Sequence, residues 1–155
     1  MGNIGFSAEY TIEELQKMLL EPEHYKPVLI FNDKPVHEIR DPTPLPGEYF
    51  RVYKEDQLIE VSNYGRIKHK GDLLEQYVRN GELPDYLSVY IPAPGSYEDH
   101  VWRFVAKTWY ENPDKKEKTI VHHLTNNGFD NRPCNLLWVT DIEHGKIHSF
   151  EYNNA

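Results

Sequence analysis

Cysteine is almost missing from this chain: Cys134 stands alone among 155 residues. One thiol excludes an intramolecular disulfide and any zinc cage of the Cys-x-x-Cys type. Long apolar runs are missing too, and none approaches the roughly 18 residues that a membrane-crossing helix needs. No basic-then-apolar leader opens the chain. Met1-Gly2 is followed by Phe6 where a myristoylation signal has Ser or Thr. The expectation is a protein without membrane contact, resident in the cytoplasm. Positive charge is scarce: 17 Lys and Arg stand against 25 Asp and Glu, a net −8. Affinity for nucleic acid rests largely on Lys and Arg meeting phosphates, so the chain as a whole is poorly matched to it.

The deficit is uneven. Residues 1–47 hold eight acidic and four basic groups, residues 48–100 hold ten and six, and residues 101–155 hold seven of each. The last third is therefore neutral. Two basic groupings stand out, Arg66, Lys68 and Lys70 in the middle and Lys115, Lys116 and Lys118 further on. These six are candidates for phosphate contact. Hydrophobic content is 39%, and eleven Tyr, six Phe and three Trp supply much of what a core requires. The length fits one domain, or one domain with an elaborated N-terminus.

Patterning gives the element order. Thr11 to Leu20 predicts a short amphipathic helix with Ile12, Leu15, Met18 and Leu19 on one side, capped by Ser7 or Thr11 and ended by Pro22. Val28 to Phe31 predicts a buried strand before an Asn32-Asp33-Lys34 turn. The proline-rich segment 41–47 is the expected boundary of an N-terminal appendage of unknown role. Tyr49 to Lys54, Leu58 to Ser62 and Arg66 to Lys70 predict three antiparallel strands, with Asn63-Tyr64-Gly65 as the tight turn. Leu87 to Ile91 predicts a fourth strand. His100 to Tyr110 predicts a helix whose core face carries Val101, Phe104, Val105 and Trp109. Neither internal repeats nor low-complexity tracts are present.

The chemistry concentrates in the last third, around His122, His123, Asn135, His144 and His148. Thr140-x-x-Glu143 is a capping box that starts a helix at Asp141 and runs it to about Glu151. His144 and His148 are then one turn apart on one face and can share a metal. Lys118 to Leu124 predicts a strand, and adjacent strand residues point to opposite sides. His122 and His123 therefore do not serve one ion: one turns to the helix, the other to solvent or substrate. Leu136 to Val139 predicts a second strand leading into the helix. The set can hold one divalent metal and leave one imidazole as a base, which is what phosphodiester hydrolysis needs. Imidazole ligands favour Zn²⁺, Ni²⁺, Co²⁺ or Mn²⁺ over Mg²⁺. His24, His37, His69 and His100 have no partner at ligand spacing.

Val101-Trp102-Arg103-Phe104-Val105-Ala106, Val121-His122-His123 and Asn135-Leu136-Leu137-Trp138-Val139-Thr140 together resemble the HNH (ββα-metal) nuclease superfamily, in its phage and intron homing-endonuclease branch. Ile59-Glu60-Val61-Ser62-Asn63-Tyr64-Gly65-Arg66-Ile67 resembles the small module that accompanies those nucleases. The similarity covers about Tyr49 to Phe150. It implies an α+β protein: a small antiparallel sheet (48–98) and a ββα-metal, or His-Me finger, nuclease core (99–155), with residues 1–47 as the helix and strand appendage. It implies His123 as general base, His122 and His144 as metal ligands, and Asn135 as the residue that pins the loop and helps hold the base. His148 resembles the second helix histidine of the colicin nucleases. Arg103 is a candidate second cation at the scissile phosphate. The resemblance further implies one divalent ion (Zn, Ni, Mn, Co or Mg), DNA as substrate, 5′-phosphate products and a bacterial or phage-infected host. A protein partner or homodimer is a further expectation. Thr125-Asn126-Asn127 departs from the branch's Asp-Gly-Asn, and Trp102 replaces a histidine. The sequence ends soon after the catalytic helix, without the helix-turn-helix reader of many homing nucleases, so modest sequence specificity is expected. Two other functions remain compatible with the residues: a non-catalytic, metal-stabilised binding or inhibitory protein using the acidic surface, and a toxin-type nuclease with an immunity partner.

Overall fold

The computed structural model describes residues 10–19, 28–79, 86–110, 112, 114–125 and 127–153, with side chains as far as His148. Helix α1 spans Ile12–Met18, with Thr11 as its N-cap; the Thr11 hydroxyl accepts from Glu14 N–H while the Glu14 carboxylate accepts from Thr11 N–H. Ser7, Leu20 and Pro22 lie outside the described residues. Strands β1 (Ile30–Phe31) and β2 (Lys34–Pro35) make a minimal hairpin turning at Asn32 and Asp33, both at positive φ. The expected buried strand is thus only half right, because Val28 and Ile30 are exposed. A ladder of two residues has too little width to cover both faces.

Strands β3 (Phe50–Val52), β4 (Ile59–Ser62), β5 (Ile67–His69) and β6 (Asp72–Leu73) form a four-stranded antiparallel meander. Strands β7 (Gln76–Val78), β8 (Leu87–Ile91) and β9 (Tyr97–His100) form a second antiparallel sheet. β9 leads directly into helix α2 (Val101–Trp109), and after a connecting segment β10 (Ile120–His123) pairs antiparallel with β11 (Leu136–Val139). Helix α3 follows at Asp141–Asn153. This is the expected α+β arrangement of small antiparallel sheets and few helices. Sequence patterning misses β2, β6, β7 and β9, short strands whose largely polar or exposed residues lack the alternation that marks a half-buried strand.

One apolar cluster joins β4, β5, β8, α2, β10 and β11, through Ile59, Val61, Ile67, Val89, Phe104 and Leu136 among others. Each such side chain contributes about 1.5–3 kcal/mol by leaving water. A second cluster joins α1 to the ββα unit: Leu15 and Leu19 pack with Leu124, Leu137, Val139 and Ile147. Gln16 Nε2 also donates to the Lys146 carbonyl of α3 at 2.9 Å. Residues before the proline-rich segment thus complete the core beneath the C-terminal helix. β9 bridges the expected boundary at residue 98 and shares its sheet with β7 and β8.

Gly65 explains how the meander meets the C-terminal third. Its φ of +89° makes the turn, and a Cβ there would sit 3.3 Å from the Asn131 Cβ. Ser62 braces the same turn by accepting from Tyr64 N–H and Arg66 N–H. A side chain at position 65 would both strain the backbone and push on the loop that carries Asn131.

A histidine cluster and a buried imidazole on opposite faces of one hairpin

The ladder of β10 and β11 sets His122 opposite Leu137 and His123 opposite Leu136. Because side chains alternate across a strand, the two imidazoles diverge. His122 turns to α3, where its ring lies 5.7 Å from that of His144 and 5.2 Å from that of His148. The capping box predicted at Thr140 and Glu143 forms with both bonds, 2.9 and 3.0 Å, and fixes where α3 begins. His144 and His148 then lie one turn apart and meet edge-on, with ring centres 4.4 Å apart. One nitrogen from each of the three imidazoles lies within 4.8 Å of the others. Imidazoles on one cation at about 2.1 Å hold their nitrogens no more than about 4.2 Å apart. Small side-chain rotations of the half-buried His144 and His148 close the difference. His122 is 2% exposed and its Nε2 has no hydrogen-bond partner. A buried ring nitrogen left unpaired beside two further imidazoles fits a cation ligand and is costly otherwise. Burial, then the neighbouring His148, His144 and His123, lowers the His122 pKa to about 2, so the ring stays neutral and able to ligate.

His123 turns the other way and is 4% exposed. Its Nε2 lies 3.0 Å from Asn131 Oδ1. The Asn131 amide group donates to the Gly128 carbonyl at 3.4 Å, which fixes the orientation of the carboxamide. A carboxamide oxygen only accepts, so His123 Nε2 carries the proton and Nδ1 keeps its lone pair. Tyr86 stacks on the ring at 5.1 Å and Trp102 meets it edge-on at 6.5 Å. Burial lowers its pKa to about 4, against the Asn131 hydrogen bond and the charge of Asp130, which raise it.

Asn135 is buried and spans the loop: its Oδ1 accepts from Thr125 N–H and hydroxyl at 3.1 Å each, and its Nδ2 donates to the Asp130 carbonyl at 3.0 Å. Its bonds tie Thr125 to Asp130 across the loop, but the side chain that touches His123 is Asn131. Sequence reasoning missed Asn131 and Tyr86. Asn131 sits in Asp130-Asn131-Arg132-Pro133, where an asparagine reads as an ordinary turn residue, and Tyr86 precedes a strand with nothing local to mark it.

The predicted cations fare differently. Arg66 is a correction: it is 2% exposed, and its guanidinium is spent inside the protein. It holds both Glu48 oxygens at 2.9 and 2.5 Å and the carbonyls of Asp41 and Thr43 at 2.6 and 3.0 Å. Burial pushes the Glu48 carboxyl up, but the bonds from Arg66, Leu45 and Ser62 outweigh it and hold it below its usual value. Arg66 clamps the proline-rich segment to the meander and cannot reach a phosphate. Lys68 lies over the Phe50 ring at 4.1 Å, and Lys70 is exposed in the turn between β5 and β6. Arg103 pairs with Asp99 at 3.0 Å and lies over Trp102. Lys118 is half-buried beside Glu143 at 3.4 Å, whereas Lys115 and Lys116 are exposed. Arg103, Lys115 and Lys118 line an open groove, which neither Lys116 nor the site histidines do.

No family model matches the chain. It is 35% identical over 104 residues to an uncharacterised HNH endonuclease of Acanthamoeba polyphaga mimivirus, across 64% of this chain and 24% of that protein. The chain thus spans about a quarter of the length of the curated relative it matches. Its fold is similar to that of the HNH homing endonuclease I-HmuI, solved in a study of DNA binding and cleavage, at a TM-score of 0.56 and 21% identity. That match covers 67% of this chain and 59% of the other.

Proposed function

We propose that this protein is a metal-dependent endonuclease of the HNH type that hydrolyses DNA phosphodiester bonds. The observation that carries the reading is the divergence of His122 and His123: three imidazoles gather on one face of the hairpin while His123 turns to the other, hydrogen-bonded to Asn131. The likeness to an HNH endonuclease supports it from sequence.

His122, His144 and His148 would hold one divalent ion. When bound, that ion supplies positive charge for the scissile phosphate and the leaving oxygen. His123 is the general base. Asn131 keeps the proton on Nε2, so Nδ1 is the nitrogen that accepts a proton from the attacking water. Burial keeps the ring neutral at physiological pH. An arriving phosphodiester brings negative charge beside it and raises its pKa toward the working pH. Asn135 acts through the loop and is a positioning residue. Arg103, partly neutralised by Asp99, orients a phosphate.

Supercoiled plasmid incubated with the purified chain tests this. Cleavage should stop in EDTA and return with Ni²⁺, Mn²⁺, Zn²⁺ or Mg²⁺, leaving 5′ phosphates. The same preparation carrying His123→Ala should leave the plasmid intact. Plasmid that stays supercoiled with every metal sinks the nuclease reading, and a His123→Ala variant that cuts like the parent sinks the assigned base.

A further inference from the structure

We propose a second DNA contact, resting on the nuclease reading: the groove beside α2 is a sugar-phosphate track that carries the DNA flanking the cleavage site. The groove encloses about 1300 Å³ and is lined from β3 and the turn after it, the turn between β4 and β5, one side of α2, and the loops before β10 and β11. Its charge is opposite to that of the whole protein. Seven Lys or Arg side chains line it against one carboxylate, Glu55, in a chain whose net charge is −8. Four of the seven are anchored by acidic groups: Arg103 by Asp99, Lys107 by Glu55, Lys118 by Glu143 and Arg132 by Asp130. Three of those four carboxylates lie outside the lining, so they fix the cations without filling the groove. Arg51, Lys54 and Lys115 are exposed and have no carboxylate partner among the described residues.

A further observation points to an anionic ligand: Arg51 sits 3.9 Å over the Trp109 ring, which holds its guanidinium at the groove lining. The groove is built partly from the elements that carry the histidines, without being lined by them. Trp138 is the ladder partner of Val121, the residue before His122, and Lys118 pairs with Glu143 in the first turn of the helix that carries His144. A backbone track needs no base contacts, since phosphate contacts position a duplex without reading its sequence.

Fluorescence anisotropy of a labelled mixed-sequence duplex, in EDTA so that no metal is needed, reads this contact separately from cleavage. The triple variant Arg51→Gln/Lys54→Gln/Lys115→Gln should bind at least about tenfold more weakly and flatten the slope of log K against log salt by about 2–3. Its thermal melting should match the parent, because all three residues are exposed. The swap Arg51→Lys/Lys54→Arg/Lys115→Arg should restore binding. A triple with the same charge change elsewhere, Lys17→Gln/Lys34→Gln/Arg40→Gln, should bind within about twofold of the parent. The groove is overturned if the first triple keeps parental affinity and slope, if the distant triple weakens binding as much, or if the parent binds no duplex. A parent that binds DNA with this dependence yet never cuts it supports the groove while sinking the nuclease reading.

Discussion

His122 and His123 share a peptide bond and a residue type, yet the protein sets them in different surroundings. The face of His122 is built by α3, with α1 completing the core beneath it. The face of His123 is built by α2, the residue before β8, and the loop that Asn135 and Gly65 hold in place. Both rings are buried, but His122 keeps an unpaired nitrogen among imidazoles, while His123 has its Nε2 committed to a carboxamide. Identity therefore says little about role at this dipeptide. The pleat of one strand assigns it, because a register shift of one residue would exchange the two environments.

The largest effects should separate the two faces. His144→Ala should lose both cleavage and the binding of Co²⁺, followed by its visible absorption. His123→Ala should lose about 10²–10⁴-fold in cleavage while binding Co²⁺ as the parent does. The comparison breaks if the two variants lose metal together, which would make the four histidines one site. Asn131→Ala should sharpen it at a smaller scale, by about 10–100-fold in rate, the range seen when a partner that orients a functional histidine is removed. Because Asn131 stabilises one tautomer and raises the His123 pKa, the acid limb of the pH-rate profile should move to lower pH. A fall in rate with an unmoved profile and altered metal affinity would instead make Asn131 a purely structural residue.

Much of the site was legible because short-range rules govern it. The capping box sets the start of α3 and hence the shared face of His144 and His148, and strand alternation alone separates His122 from His123. β8 and β11 match their expected bounds because runs of mostly apolar and aromatic residues mark them. What escaped depends on contacts distant in sequence. Arg66 reads as a surface cation beside Lys68 and Lys70, but Glu48 and the carbonyls of the proline-rich segment enclose it from 18 to 25 residues away. The groove draws its cations from β3, α2 and three loops, so no window of sequence shows a basic cluster. Asn131 meets His123 across eight residues of loop, a distance with no periodicity to announce it.

The smallest effect per residue concerns acid, and it follows from both faces resisting protonation. In the unfolded chain each histidine titrates near ~6.5. In the folded chain burial lowers His122 to about 2 and His123 to about 4. Above the unfolded value both states are neutral and neither ring affects stability. As pH falls from about 6.5 toward 4, the unfolded chain takes up protons that the folded chain refuses. Stability then drops by about 1.4 kcal/mol per pH unit for each histidine. Glu48 and Glu143, held below their usual values, add to the loss only at lower pH, as each falls through its carboxylate range. Urea unfolding of the metal-free protein at pH 7 and pH 5.5 should therefore show a loss of about 2–3 kcal/mol from the two rings together. His122→Asn and His123→Asn should each remove about half of that pH dependence. Zn²⁺ should oppose the acid loss in His123→Asn, which retains His122, His144 and His148, and fail to do so in His122→Asn. Equal protection of both variants by Zn²⁺ would mean that the ion does not distinguish the two faces, and the division of labour along this strand would have to be abandoned.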